Sequence, residues 1–179
     1  MYKPEKEGHT ARPPLSQRAV DKQPNSHHCF VCGLKNPNGL AMHFYNVGPG
    51  QVEANYSVPR SFEGYPGIVH GGIIAAMLDE VVGRVAMTED PNHFLVTAKL
   101  ELRYRAPVPV ETELRLRGWL ERDRGRLVAA AGEILLADGT VAVEAEATLV
   151  DKPDQAVEDD LLQSLGWRVY ADDEDIQQA

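Results

Sequence analysis

The chain is expected to adopt an α+β fold, an antiparallel sheet of about six strands curled around one long central helix, and three observations predict it. A single stretch has helical period and is apolar around most of its circumference: Ile73, Met77, Val81 and Val85 form one stripe and Ile74, Leu78 and Val82 a second. Two runs of strand character precede it and four long ones follow. Turn-forming Gly, Pro, Asn and Asp separate the runs. Strands, one buried helix, then strands is the order of an α+β domain, not of a repeating βαβ chain.

In chain order, residues 1–26 are polar, Pro-containing and without periodicity, and read as a flexible arm. A domain over 27–150 follows. Ala41 to Val47 reads as a strand, Gly48-Pro49-Gly50 as a turn, and Gln51 to Val58 as the hairpin partner. The loop RSFEGYPG leads into the helix. Strands are expected at about Phe94 to Arg105, Glu111 to Arg122, Arg126 to Ala137 and Thr140 to Val150, with turns at Pro107 to Pro109, Asp123 to Gly125 and Asp138-Gly139. Residues 151–179 form an acidic tail, in which Leu161, Leu162 and Leu165 make a short amphipathic turn before Trp167 that could dock on the core or on a neighbour. Six strands cannot cover so apolar a helix and still leave a closed cleft, so a homodimer is expected.

Composition narrows the function. At 179 residues and 43 % hydrophobic content the chain can build one substantial core. No run is long or apolar enough to span a membrane, and the N-terminus lacks the apolar core of a secretion signal, so a cytoplasmic location is the default expectation. The net charge of -9 is uneven: from residue 151 onward there are nine acids and two bases, a net of -7, which leaves -2 for the first 150 residues. With no basic block, nucleic acid is not an expected partner, and the nearly neutral domain would not repel an anionic ligand strongly.

The chemistry concentrates in GIVHGGIIAAMLDE, residues 67–80. On the helix, Glu80 precedes Arg84 by four residues, the favourable order for an ion pair. Asp79 has no such partner; its helical neighbours Ala75, Ala76 and Gly83 are small and leave space around the carboxylate. At the other end, Gly71 and Gly72 let a ligand approach backbone N–H groups that have no acceptor within the helix, and the helix dipole adds partial positive charge. This is the makeup of an oxyanion hole. A bland reading stands beside it, in which Asp79 merely hydrogen-bonds a backbone group at a solvated or subunit-facing edge. Gly71 and Asp79 lie roughly 12 Å apart along one helix at 1.5 Å per residue, so an acid acting at this hole would come from a second copy of the helix.

The run HGGIIAAMLDE, preceded by a Pro-Gly turn and followed by LVTAKLELRYRAPV, resembles the hotdog-fold acyl-CoA thioesterases, in the branch typified by phenylacetyl-CoA thioesterases. The resemblance covers roughly Cys29 to Val150. It implies hydrolysis of an acyl-CoA thioester, with coenzyme A part of the substrate and no separate cofactor, in a homodimer or a dimer of dimers. It further implies that Asp79 of one subunit acts on a thioester whose oxygen rests on the Gly71 N–H of the other, with Gly72 beside it, that His70 helps position the site, and that Thr97 assists the acid or its water. Some members carry an Asn six residues before the His; here that position is Gly64. Other branches use a Glu, which keeps Glu80 as a second candidate acid. Strand alternation puts Thr97 with Lys99, Glu101 and Arg103 on the face opposite Val96, Ala98, Leu100 and Leu102, unless a bulge or the dimer seam re-aims it. Arg103 and Arg105, with Lys99, are candidates for the phosphates of coenzyme A, or else an ordinary charged strand surface.

The run HHCFVCGLKNPNGL contains His27, His28, Cys29 and Cys32, whose chemistry suits zinc, although the adjacent histidines are crowded for one complete site. Gly33, Asn36, Pro37, Asn38 and Gly39 also explain it as a compact turn, and a redox pair is the third reading. No metal is assigned to the active site. Related hotdog proteins carry a similar Cys-Gly and Asn-Pro-x-Gly-Leu opening, which implies a turn or lid near the substrate and makes Asn38 a candidate contact. Thioester hydrolysis stands first among the function classes, with noncatalytic acyl-CoA binding or sensing as the alternative. A hotdog dehydratase or hydratase ranks below both, because Arg60, Ser61 and Phe62 stand where that pattern places its His.

Overall fold

The computed structural model describes residue 15, residues 20–151 and residues 159–171. One helix, α1 (Gly71–Gly83), lies in the curve of a seven-stranded antiparallel sheet of β1 (Asp21–Lys22), β2 (Tyr45–Gly48), β3 (Gln51–Ser57), β6 (Leu95–Tyr104), β7 (Glu113–Asp123), β8 (Leu127–Leu135) and β9 (Val141–Asp151). A separate small hairpin, β4 (Glu63–Tyr65) and β5 (Ile68–Val69), feeds the helix, and α2 (Asp159–Ser164) follows the sheet. The strand order is β1-β2-β3-β7-β8-β9-β6, so the strand after the helix crosses to the far edge. This is the hotdog arrangement.

Both apolar stripes of α1 are used: Ile74, Met77, Leu78, Val81 and Val82 are buried. Each contributes roughly 1.5–3 kcal/mol of transfer free energy. The helix stops at Gly83, and the stripe continues through a 3₁₀ turn, Val85–Thr88, that buries Val85 and Met87. The sheet accepts the helix at close range because Gly118 and Gly132 face each other across β7 and β8. A Cβ on Gly118 would fall 2.6 Å from the Val81 carbonyl oxygen, and one on Gly132 2.9 Å from Val82 Cγ1.

The four long strands after the helix and the β2–β3 hairpin lie close to their expected places. Of residues 41–47, only Tyr45 to Val47 are strand; Leu40, Met42 and Phe44 instead exchange backbone hydrogen bonds with Phe30, Val31 and Gln23. The expected loop 60–67 contains β4 and reaches β5. Residues 21–26, counted with the arm in the sequence, are packed into the domain: β1 pairs with β2, and Gln23 and Asn25 are buried. Asn25 donates through Nδ2 to the carbonyls of Cys32 and Met42, at 2.7 and 2.8 Å.

The segment after β9 docks on this same region. The backbone N–H groups of Asn25 and His27 donate to the carbonyls of Arg168 and Leu165, and Leu162 and Tyr170 are buried. The rest of the expected arm and much of the expected tail lie outside the described residues. No helix among the described residues is long and apolar enough to cross a membrane.

Candidate active site

Each half of the candidate site rests on α1. His70 is the N-cap: its extended backbone (φ -60°, ψ 134°) turns the chain into the helix, and its Nδ1 accepts the Gly72 N–H at 3.0 Å. For a neutral ring this puts the proton on Nε2. The His70 carbonyl takes the N–H groups of Ile73 and Ile74. Among the described residues no acceptor takes the Gly71 N–H, which stands exposed at the positive end of the helix. Of the two glycines expected to supply donors, Gly71 therefore has its N–H available and Gly72 has given its own to His70.

Tyr104, which the sequence reading did not select, holds the other side of this turn. Its hydroxyl donates to the Gly71 carbonyl at 2.8 Å, and the partial burial of the ring raises the phenol's pKa, so the donor stays protonated. Gly64, on β4, packs against His70: a Cβ there would lie 3.0 Å from His70 Cα and 3.3 Å from Cδ2. It supplies close contact and no polar group.

Asp79, two turns along α1, is half-buried and forms no hydrogen bond or ion pair among the described residues. A Cβ at Gly83, one turn further, would meet nothing within 4 Å, so that side of the helix is open as the small residues suggested. Glu80 is committed elsewhere. Its Oε1 accepts from Arg84 Nε at 2.8 Å, with Nη2 also 2.8 Å away but off the hydrogen-bonding line. Arg84 is 2 % exposed, donates through Nη1 to Gln23 Oε1 and the Pro24 carbonyl, and lies 4.4 Å from the Phe44 ring centre. Asp79 is thus the uncommitted acid of the pair.

Thr97 is re-aimed by a register shift. Thr97 pairs with Leu149, but Lys99 pairs with Thr148, so Ala98 is the extra residue of a bulge. Because directly opposed residues share a face, Thr97 joins Leu149, Leu100 and Leu102 on the helix side, and Val96 turns to the outer face, where it is 50 % exposed. Simple alternation placed these two residues the other way round. The strand carrying them is a sheet edge, with no partner beyond it among the described residues.

The other candidate contacts are surface groups. Lys99, Glu101 and Arg103 share the outer face of β6, with Lys99 bound to Glu101 at 3.0 Å. Arg103 forms no ion pair among the described residues, whereas Arg105 donates to Glu144 at 2.6 Å. Asn38 is exposed in a tight turn in which its N–H meets Asn36 Oδ1.

The Cys-x-x-Cys run folds as a compact turn beside α1. The N–H groups of Val31 and Cys32 point at Cys29 Sγ, at 3.3 and 3.4 Å. The Cys32 thiol's hydrogen bond, helped by those amides, lowers the Cys29 pKa to about 6 against the opposing effects of burial and Glu80. The same hydrogen bond, with burial, pushes Cys32 far up. His27 and His28 do not join the pair; Glu80 does, with Oε2 3.8 Å from Cys29 Sγ.

With this geometry in hand, residues 66–143 match the family model described as Thioesterase superfamily. Over these residues the chain is similar to thioesterase-superfamily domains. Acyl-coenzyme A thioesterase THEM4 of Rattus norvegicus is 29 % identical over 115 residues, 62 % of this chain and 49 % of that protein. The solved thioesterase superfamily protein RHA08564 superposes with a TM-score of 0.63 at 33 % identity, over 70 % of this chain and 61 % of that one. A phenylacetic acid degradation-related protein of Ralstonia eutropha superposes with a TM-score of 0.56 at 28 % identity, over 62 % and 85 %. The chain spans between about a third and a half of the length of the THEM4 relatives it matches.

Proposed function

We propose that the protein hydrolyses an acyl-CoA thioester to a free acid and coenzyme A, in a homodimer whose sites each combine the helix N-terminus of one subunit with Asp79 of the other. The observation that carries this reading is that one helix holds two incomplete halves of a site, a free N–H at Gly71 and an uncommitted carboxylate at Asp79, too far apart to serve one carbonyl. Pairing two chains along the β6 edge would bring opposite halves together and cover Val96 and the bulge.

In this mechanism the thioester oxygen accepts the Gly71 N–H, and Asp79 of the partner subunit takes a proton from water as the water attacks the carbonyl carbon. Negative charge gathers on the oxygen, where the amide and helix dipole stabilise it. Collapse breaks the C–S bond, and coenzyme A leaves as a thiolate that takes up a proton. His70 and Tyr104 hold the helix entrance in shape, Thr97 approaches from the inner face of β6 to hold the water or the acid, and Arg103, which unlike Lys99 and Arg105 forms no ion pair among the described residues, is the basic side chain left to meet a phosphate. Gly64 favours a second reading, acyl-CoA binding without turnover, because its position offers no side chain to hold a water.

The test is hydrolysis of short, medium, long-chain and aryl acyl-CoA esters by wild type and Asp79→Asn, with released thiol measured against a no-substrate control for the protein's own cysteines. The proposal expects wild-type turnover that collapses in the variant. Binding of acyl-CoA with no hydrolysis of any ester would favour the second reading.

A further inference from the structure

The loop over 26–40 meets α1 through sulfur and carboxylate atoms that the proposed hydrolysis does not use. Cys29 Sγ, Cys32 Sγ and a Glu80 carboxylate oxygen all lie within 4.8 Å of one another. We propose that these three residues bind one zinc-type divalent ion, which clasps the loop to the middle of α1.

The loop is shaped as a chelate before any ion arrives. The Val31 and Cys32 amides converge on Cys29 Sγ, and the Gly33 N–H closes the turn onto the Cys29 carbonyl at 3.0 Å. A side chain at position 33 is excluded, since its Cβ would lie 2.2 Å from that carbonyl oxygen. Asn25 holds the turn from behind through the Cys32 carbonyl. On the helix side, Arg84 fixes Glu80 by Oε1 and leaves Oε2 toward the sulfurs. A ligand oriented by an outer hydrogen bond is the usual support of a metal site.

The distances suit the ion. With zinc–sulfur bonds of about 2.3 Å and zinc–oxygen bonds of about 2.0–2.2 Å, the sulfur-to-oxygen edge of a tetrahedron is roughly 3.5 Å. The Cys29 Sγ to Glu80 Oε2 separation is 3.8 Å, so that edge needs only a slight contraction, and the other two edges are within 4.8 Å. The charges close as well: two thiolates and a carboxylate balance a divalent ion and the buried Arg84 guanidinium. Binding displaces whatever thiol protons remain, chiefly that of Cys32, to solvent, and no atom changes oxidation state. Glu80 is 21 % exposed and Cys29 half-buried, which leaves the fourth position to water. The His27 ring packs against Gly166 instead.

A redox dithiol needs the same two cysteines but gains nothing from a fixed carboxylate. Glu80 only partly offsets the Cys32 thiol and the amides that favour the Cys29 thiolate, and a bound cation would turn that opposing carboxylate into a ligand. Two soft sulfur ligands with one hard oxygen select zinc over magnesium or calcium.

The test uses the full chain, reduced and stripped with a chelator. Zn²⁺ is titrated in competition with a chromophoric chelator, and Co²⁺ serves as the spectroscopic probe. The proposal expects one ion per chain, a thiolate-to-cobalt charge-transfer band that Cys29→Ser and Cys32→Ser weaken or abolish, and Zn²⁺ binding at least about tenfold weaker in Glu80→Gln. Zn²⁺ should also raise the thermal midpoint of the wild type. Should the cysteine variants fail to fold, the wild-type spectrum and Glu80→Gln decide. Absence of the cobalt–thiolate band in the reduced wild type would overturn the proposal. So would unchanged affinity in Glu80→Gln, or a Cys29–Cys32 disulfide that forms under saturating Zn²⁺, which would assign the pair to redox chemistry.

Discussion

Replacing Gly71 with proline removes one atom group, the N–H proposed to hold the thioester oxygen, at a position unusually tolerant of the change. Gly71 is the first residue of α1, where proline is favoured and its missing N–H breaks no intrahelical bond. The preceding His70 has ψ 134°, within the range that a following proline requires. A Cβ at Gly71 would make its nearest contact 3.6 Å away, at the Tyr104 hydroxyl, an ordinary van der Waals distance. The fold should therefore be retained, with a stability change on the order of +0.4 to 1 kcal/mol from the stiffer unfolded chain. Loss of one oxyanion donor should lower kcat by about 10²–10³-fold, or roughly 2.7–4 kcal/mol of transition-state stabilisation. Steady-state hydrolysis of the best acyl-CoA ester gives the rate and thermal unfolding checks the fold. Gly71→Ala, which keeps the N–H, should lose far less. A folded Gly71→Pro with kcat within a few-fold of wild type would refute the assignment of this amide as the oxyanion donor.

The remaining predictions concern packing, positioning and the cysteine turn. Gly118→Ala places a methyl 2.6 Å from the Val81 carbonyl and should lift the helix off the sheet, destabilising by about 1–3 kcal/mol in denaturant unfolding; an unchanged midpoint would contradict the tight helix–sheet packing. Tyr104→Phe removes the 2.8 Å hydrogen bond to the Gly71 carbonyl and should cost about 0.5–1.5 kcal/mol of stability, with a loss of kcat that exceeds any change in KM. In metal-free, reduced protein the alkylation rate of Cys29 should rise through pH about 6, because the Cys32 thiol and two backbone amides favour its thiolate. An ordinary cysteine titrates near ~8.5, and a profile centred there would show that these donors do not act on Cys29. Cys32 should stay unreacted until the chain unfolds.

The helix, the β2–β3 hairpin and the four long strands were legible because each runs long enough to show its period, and the Gly-Pro and Asp-Gly turns mark their ends. The strands of two and three residues were not: β1, β4 and β5 have no alternation to read and exist through pairing with distant partners. In β6 the alternation was visible but misleading. One extra residue at Ala98 turns Thr97 inward and Val96 outward, a change that only the register against β9 reveals. At the candidate site, the N-terminal glycines and the small-residue face beside Asp79 were readable from local spacing, and His70 from the family resemblance. Tyr104 was missed because its partner is the backbone of Gly71, 33 residues away. Arg84 could be matched to Glu80 at helical spacing. The sequence held no sign that Gln23 and Pro24 bury the same guanidinium from 60 residues upstream, or that Cys29 reaches Glu80 across 51.

The central claim, that each site takes its amide from one subunit and its acid from the other, is tested most directly by mixing two inactive proteins. Asp79→Asn and Gly71→Pro are purified separately, combined in equal amounts under conditions that exchange subunits, and assayed against acyl-CoA. If the halves come from different chains, each mixed dimer carries one intact site, and activity should recover to about a quarter of wild type. A mixture that exchanges subunits and stays as inactive as its parents would place both halves of the site within one chain and contradict the account.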